Sequence, residues 1–178
     1  MRFHETPLEG AFLIEPDLIE DERGWFARTF DAQEFSERGM NPLVIQCNAS
    51  FNARRDTLRG MHYQAAPNGE SKLVRCIRGT VFDVAVDLRA DSSSYCRWHG
   101  LELSADSGRA FYIPEGMAHG FQTLSDECEL IYMMGAPFVA DSARGVRWDD
   151  PAFAIDWPAP QGELIISQRD ATYPDFKP

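Results

Sequence analysis

From Leu43 to Met134 the chain is a succession of short apolar runs separated by turn residues, at 43–47, 58–64, 72–78, 80–88, 97–103, 109–113, 119–124 and 128–134. Hardly any helical periodicity runs through them. Such runs predict an antiparallel sandwich or barrel, because two sheets closed on each other leave few exposed edges. The stretch Thr80–Arg89 is the plainest strand. Phe82, Val84, Val86 and Leu88 would share one face, with Asp83 and Asp87 on the other.

The flanks are less regular. Residues 11–18 predict a first strand, ended by the acidic turn Glu20-Asp21-Glu22-Arg23-Gly24, and 25–30 a strand leading into a short helix. That helix carries its own punctuation: Asp31 as N-cap, Glu34 completing a capping box, Phe30 and Phe35 as a hydrophobic staple, and Gly39 as the stop. Trp148-Asp149-Asp150-Pro151 and Asp156-Trp157-Pro158 suggest loops pinned by aromatic rings, and Ser167-Gln168-Arg169-Asp170 could open a last helical turn. With 178 residues and no repeat, linker or low-complexity tract, the expectation is one all-β domain over 1–178 with a few short helices.

A net charge of −11 argues against a nucleic-acid surface, which would be broadly basic; an anionic small molecule would need a local cluster of cations. No apolar run approaches the ~20 residues of a membrane span. The start, Met1-Arg2-Phe3-His4-Glu5-Thr6, lacks an apolar signal core. Cys47, Cys76, Cys96 and Cys128 lie far apart without a C-x-x-C pair, and Cys76 and Cys128 fall in apolar runs, so reduced, buried thiols in a cytoplasmic protein are expected.

Chemistry concentrates in two stretches. Arg59-Gly60-Met61-His62-Tyr63-Gln64 sets one imidazole in a strand beside groups able to bind an anion. A lone strand histidine is more often packed than catalytic, so its surroundings decide. Arg59 and His62 are three apart, which puts them on opposite faces of a regular strand; a bulge at Gly60 would bring them together. In Tyr112-Ile113-Pro114-Glu115-Gly116-Met117-Ala118-His119-Gly120-Phe121, Pro and Gly force a turn that presents His119 at a strand start. This P-x-G-x-x-H pattern resembles the second motif of cupins, small jelly-roll barrels that often hold a metal. The first cupin motif is depleted here, since Tyr63 and Gln64 follow His62 and no H-x-H pair remains. No metal site is expected.

Taken in order, the motifs resemble one family closely: dTDP-4-dehydrorhamnose 3,5-epimerases and relatives acting on nucleotide-linked 4-keto-6-deoxy sugars. The similarity runs through Asp21–Phe26, Leu58–Gln64, Lys72–Cys76, Gly79–Asp87, Ile113–Phe121, Tyr132, Trp148–Pro151 and Ser167–Asp170. The resemblance implies proton removal from C3 and C5 beside a C4 ketone and return from the other face, through an enolate whose charge sits on O4. The ketone is already in the substrate, so no cofactor is implied.

Residue by residue, His62 matches the base, Asp170 the carboxylate that orients it, Tyr132 the acid on the opposite face and Lys72 the cation near O4. Arg23, Gln46, Asn48, Arg59, Lys72, His119, Phe138 and Arg169 match substrate-contacting positions, Phe138 keeping an aromatic ring where the family usually stacks one on the base. The residues by themselves allow blander roles: Asp170 closing a capping box, Tyr132 in the core, Lys72 exposed on a strand. Arg28, Cys47, Met133 and Ala143 depart from the family's pattern, which touches recognition more than chemistry. The resemblance also implies a homodimer built through the N-terminal strands, in which Trp25, Phe26 and Phe30 find burial. A mono-epimerase of a related nucleotide sugar, and a non-enzymatic sugar-binding cupin, are the competing readings.

Overall fold

The alternation of the apolar runs is realised in two facing sheets. The computed structural model describes residues 1–177. Its strands are β1 (Arg2–Glu5), β2 (Phe12–Glu15), β3 (Ile19–Asp21), β4 (Gly24–Phe26), β5 (Gln46–Asn52), β6 (Thr57–Gln64), β7 (Lys72–Arg78), β8 (Thr80–Asp87), β9 (Trp98–Ser104), β10 (Ala110–Ile113), β11 (Met117–Thr123), β12 (Cys128–Met134), β13 (Ala143–Gly145) and β14 (Ile165–Ile166), with short helices α1 (Ala32–Ser36) and α2 (Gln168–Ala171). One sheet has the order β1-β2-β10-β7-β12-β5; the other runs β13-β6-β11-β8-β9, with β14 added alongside β6. Strands β3 and β4 form a separate hairpin sheet. Pairing is antiparallel except between β14 and β6. This is the all-β, cupin-like jelly roll expected from the sequence.

Alternation sorts the side chains into three apolar layers. Between the sheets lie Val74, Cys76, Val81, Ala85, Leu103, Phe111, Phe121 and Leu130, all buried. On the outer face of the first sheet, Leu73 and Tyr112 pack under Phe35 of α1. On the outer face of the second, Met61, Val84, Val86 and Ala118 are covered by Val146 and Phe153 of the C-terminal third. Each fully buried Phe or Leu is worth roughly 1.5–3 kcal/mol relative to exposure. The apolar face read for β8 is thus an outer face, closed by the C-terminal segment, while Asp83 and Asp87 point inwards.

Several boundaries differ from the sequence reading. The run expected at 43–47 becomes a strand only at Gln46 and extends to Asn52, leaving Leu43, Val44 and Ile45 exposed before it. The strand expected over 11–18 stops at Glu15, before Pro16, which cannot donate to a ladder. The stretch 25–30 is extended only as far as Phe26. Residues 2–5, 143–145 and 165–166 are strands that none of the expected runs marks. In α1, Asp31 accepts from the Gln33 and Glu34 amides and Phe30 packs on Phe35 at 4.8 Å, as expected. Glu34 does not complete the box; its carboxylate lies 3.8 Å from the N-terminal ammonium. The thiols are free, but only Cys76 and Cys128 are buried: Cys96 is half-buried and Cys47 exposed.

Candidate active site

Register decides which side chains meet in the gap between the sheets. Across β6 and β11, His62 pairs with His119 and Arg59 with Phe121, and the ladder slips between them so that Gly60 and Met61 together oppose Gly120. Paired residues project from the same face, so the slip puts Arg59 and His62 on one side, facing inwards, and turns Met61 outwards into its apolar layer. The close approach demands glycine. At φ +130, Gly60 lies so near β11 that a Cβ would fall 2.5 Å from the Cα of Gly120.

His62 Nε2 is 2.8 Å from Asp170 Oδ1, and the Gly60 amide donates to Asp170 Oδ2 at 3.2 Å. The Asp170 amide in turn donates to the hydroxyl of Ser167, the N-cap of α2. Capping and pairing with His62 therefore coexist: the cap uses the Asp170 backbone and leaves its carboxylate for the imidazole. Burial lowers the His62 pKa below its usual value, against Asp170, which raises it; His119 and Arg169 add to the lowering.

The facing sheet brings Tyr132, Lys72, Gln46 and Asn48. Tyr132 pairs with Asn48 across β12 and β5, and Gln46 pairs with Met134, so these side chains share the inner face and Cys47 lies on the outer one. The Tyr132 hydroxyl lies 3.0 Å from the Ser50 hydroxyl. Its pKa is raised, chiefly by burial, with Ser50 and Arg59 acting the other way. Lys72 is buried rather than an exposed strand lysine; its ammonium pairs with Glu70 at 2.8 Å and donates to the His62 carbonyl at 3.4 Å. Burial lowers its pKa, and Glu70 opposes that. Arg59 Nε donates to Asn52 Oδ1 at 2.7 Å.

Behind this front stands a second His–Asp pair, which the sequence reading did not assign. His119 Nε2 is 2.8 Å from Asp83 Oδ1, both groups are buried, and Asp83 Oδ2 has no protein partner among the described residues. Burial raises the Asp83 pKa against the pull of His119. The available signal was a carboxylate on the inner face of an otherwise apolar strand. Ser50, Asn52 and Glu70 also escaped, since polar residues in a weakly apolar run look like turn.

Three matched residues stand at the rim or beyond it. Phe138 is 61% exposed, its amide donating to Gln46 Oε1 at 2.5 Å. Arg169 Nε donates to the Tyr173 hydroxyl at 2.8 Å. Arg23 does not join the others: it sits on the β3–β4 hairpin, 84% exposed, paired with Asp21.

No group of three or more His, Cys, Asp or Glu side chains suited to holding a metal occurs among the described residues. Fold and site define a class: a cupin-like barrel whose interior sets a His–Asp pair, held by one sheet and α2, against a buried lysine and a half-buried tyrosine on the other sheet. The chain belongs to the dTDP-4-dehydrorhamnose 3,5-epimerase family, whose profile matches residues 5–178. It is 47% identical to the dTDP-4-dehydrorhamnose 3,5-epimerase of Methanothermobacter thermautotrophicus, over 97% of this chain and 92% of that one. The dTDP-4-dehydrorhamnose 3-epimerase of Streptomyces niveus is 40% identical over 96% of this chain and 81% of its own. A crystal structure of dTDP-4-dehydrorhamnose 3,5-epimerase from Elizabethkingia anophelis superposes with a TM-score of 0.95 at 38% identity, covering 99% of this chain and 96% of the other.

Proposed function

We propose that this chain, acting as one domain over residues 1–178, epimerises C3 and C5 of dTDP-4-keto-6-deoxyglucose. The observation that carries the reading is the opposition of His62 and Tyr132, which project from facing sheets into one gap. A sugar ring lying in that gap would meet a base on one face and an acid on the other. His62, neutral at neutral pH because burial lowers its pKa, takes the proton from the carbon beside the ketone. The resulting imidazolium is held by Asp170. Charge collects on the ketone oxygen, where the Lys72 ammonium is the available cation. Tyr132 returns a proton from the opposite face, and its tyrosinate is eased by Ser50 and Arg59. Exchange with solvent resets both groups. The substrate's own ketone is the electron sink, so the reaction needs no cofactor and no metal.

Gln46, Asn48, Arg59, His119 and Arg169 would contact the substrate, the arginines suiting its diphosphate through forked donors. The exposed Phe138 ring offers a stacking surface for the nucleotide base. Arg23 fits only in trans. We infer a homodimer in which the β3–β4 hairpin reaches the neighbour's barrel: Ile19, Trp25 and Phe26 are 66%, 53% and 71% exposed in one chain, a large apolar surface for a short hairpin. The free thiols suit the cytoplasm.

The test is NMR in D₂O with dTDP-4-keto-6-deoxyglucose. Deuterium is expected at both C3 and C5. Label at one carbon only would favour the mono-epimerase reading, for which the 3-epimerase relative is the motivation, and no label would overturn the assignment.

A further inference from the structure

Gly145 of β13 is the cross-strand partner of His62 on β6, so a side chain at 145 would stand directly beside the imidazole. Tyr173 occupies that place. A Cβ on Gly145 would lie 2.2 Å from Cζ of the Tyr173 ring, and the ring meets His62 edge-on with centroids 6.3 Å apart. Tyr173 is half-buried and tied down on both sides. Its hydroxyl accepts from Arg169 of α2, and three residues on, the Phe176 amide donates to Asp150 while its ring packs on Phe153 at 5.0 Å.

We propose that Tyr173 is a positioning residue for the base, closing the flank of His62 on the β13 side and holding α2, with Asp170, against the imidazole. The proposal rests on the reading of His62 as the base. The charged and titratable groups around that imidazole are Asp170 and Arg169 from α2, His119 from β11, with Asp83 behind it, Arg59 on the same side of β6, Lys72 from β7 at the His62 carbonyl, and Tyr132 from β12 across the gap. Tyr173 adds no charge among them. It shields part of the ring, whose side chain is still 41% exposed, which disfavours imidazolium, and its hydroxyl helps fix where the Arg169 guanidinium sits. Losing the ring should therefore make His62 easier to protonate.

Two readouts separate positioning from mere stability. The His62 imidazole is titrated by NMR in the substrate-free protein, with His62→Gln assigning the signal; the acid limb of kcat/KM is measured alongside. Tyr173→Ala should raise both midpoints by roughly half a pH unit or more and lower kcat about tenfold with KM nearly unchanged. Tyr173→Phe keeps the ring and loses only the hydroxyl that Arg169 bonds, so its midpoint should lie closer to wild type than that of Tyr173→Ala. Gly145→Ala, which drives the ring away without touching it chemically, should reproduce Tyr173→Ala, and it keeps the test open if that variant folds poorly. Wild-type midpoints in both Tyr173→Ala and Gly145→Ala, with only Tm reduced, would reduce Tyr173 to a structural role and sink the proposal. The NMR titration does not require epimerisation. Failure of the functional reading would thus appear as an inert wild type, whatever the titration of the variants.

Discussion

In the proposed reaction His62 and Tyr132 need opposite protonation states at rest, and partial burial favours both. It lowers the imidazole pKa, keeping the ring neutral and able to accept a proton, and raises the phenol pKa, keeping a proton to give. Three substitutions separate the roles. His62→Ala should abolish deuterium exchange at both carbons, since one base begins each step. Asp170→Asn leaves the ring but removes the carboxylate that holds its tautomer, so exchange should fall severely while the fold persists. Tyr132→Phe keeps the packing and removes the hydroxyl bonded to Ser50; the enolate should still form and inversion should suffer more than exchange. Inversion at the wild-type rate in Tyr132→Phe would return Tyr132 to the core. Lys72 was the residue least readable from sequence alone, because nothing in Ser71-Lys72-Leu73 says that its ammonium is buried against Glu70. Its neutral replacement, Lys72→Met, should lower kcat by ~10²–10³ if it faces the developing oxyanion.

At the scale of elements, strands with an apolar face were legible and strands with a polar inner face were not. β8 shows its alternation in the letters Phe82-Asp83-Val84-Ala85-Val86-Asp87. β5 hides it: Gln46, Asn48, Ser50 and Asn52 face the site, so the pattern that marks other strands is inverted, and the boundary was misplaced onto the exposed residues Leu43–Ile45. The short strands β13 and β14 owe their state to β6, distant in sequence, which local propensity does not encode, whereas β1 pairs with β2 across a short turn. The bulge at Gly60 is the element on which the site depends, and glycine between Arg59 and His62 was a sufficient clue to it. Gly60→Ala is expected to cost ~1–3 kcal/mol from overpacking against Gly120, with further strain at φ +130. The amide that holds Asp170 should shift with it, so both Tm and exchange at C3 and C5 should fall. A stable, fully active Gly60→Ala protein would show that the slip in register is not needed to face Arg59 and His62 together.

For the whole molecule, the barrel and its interior could be anticipated, whereas the surface outside it is read through the proposed second copy. Arg23 is set apart from the residues it was grouped with, and the hairpin that carries it is bonded to neither large sheet. The outer face beside β5 is partly apolar too: Phe51 and Ile77 are 52% and 41% exposed, and Ala49 pairs with Ile131 near them, with Glu129 opposite Phe51. A C₂ dimer covering this face and the hairpin would bury both surfaces and carry each Arg23 towards the other barrel. The arrangement has a test that depends on connectivity. Arg23→Ala dimers have two sites with a base and no Arg23; His62→Ala dimers have two sites with Arg23 and no base. If Arg23 acts in trans, a mixed dimer contains one site with both residues and one with neither. Equal mixing with full subunit exchange makes half the dimers mixed, so activity should rise from two nearly inactive parents to about a quarter of wild type. If Arg23 serves its own barrel, mixed dimers hold no complete site and mixing restores nothing. Light scattering on the same samples supplies the control, because a monomer at micromolar concentration would remove the basis for trans action altogether.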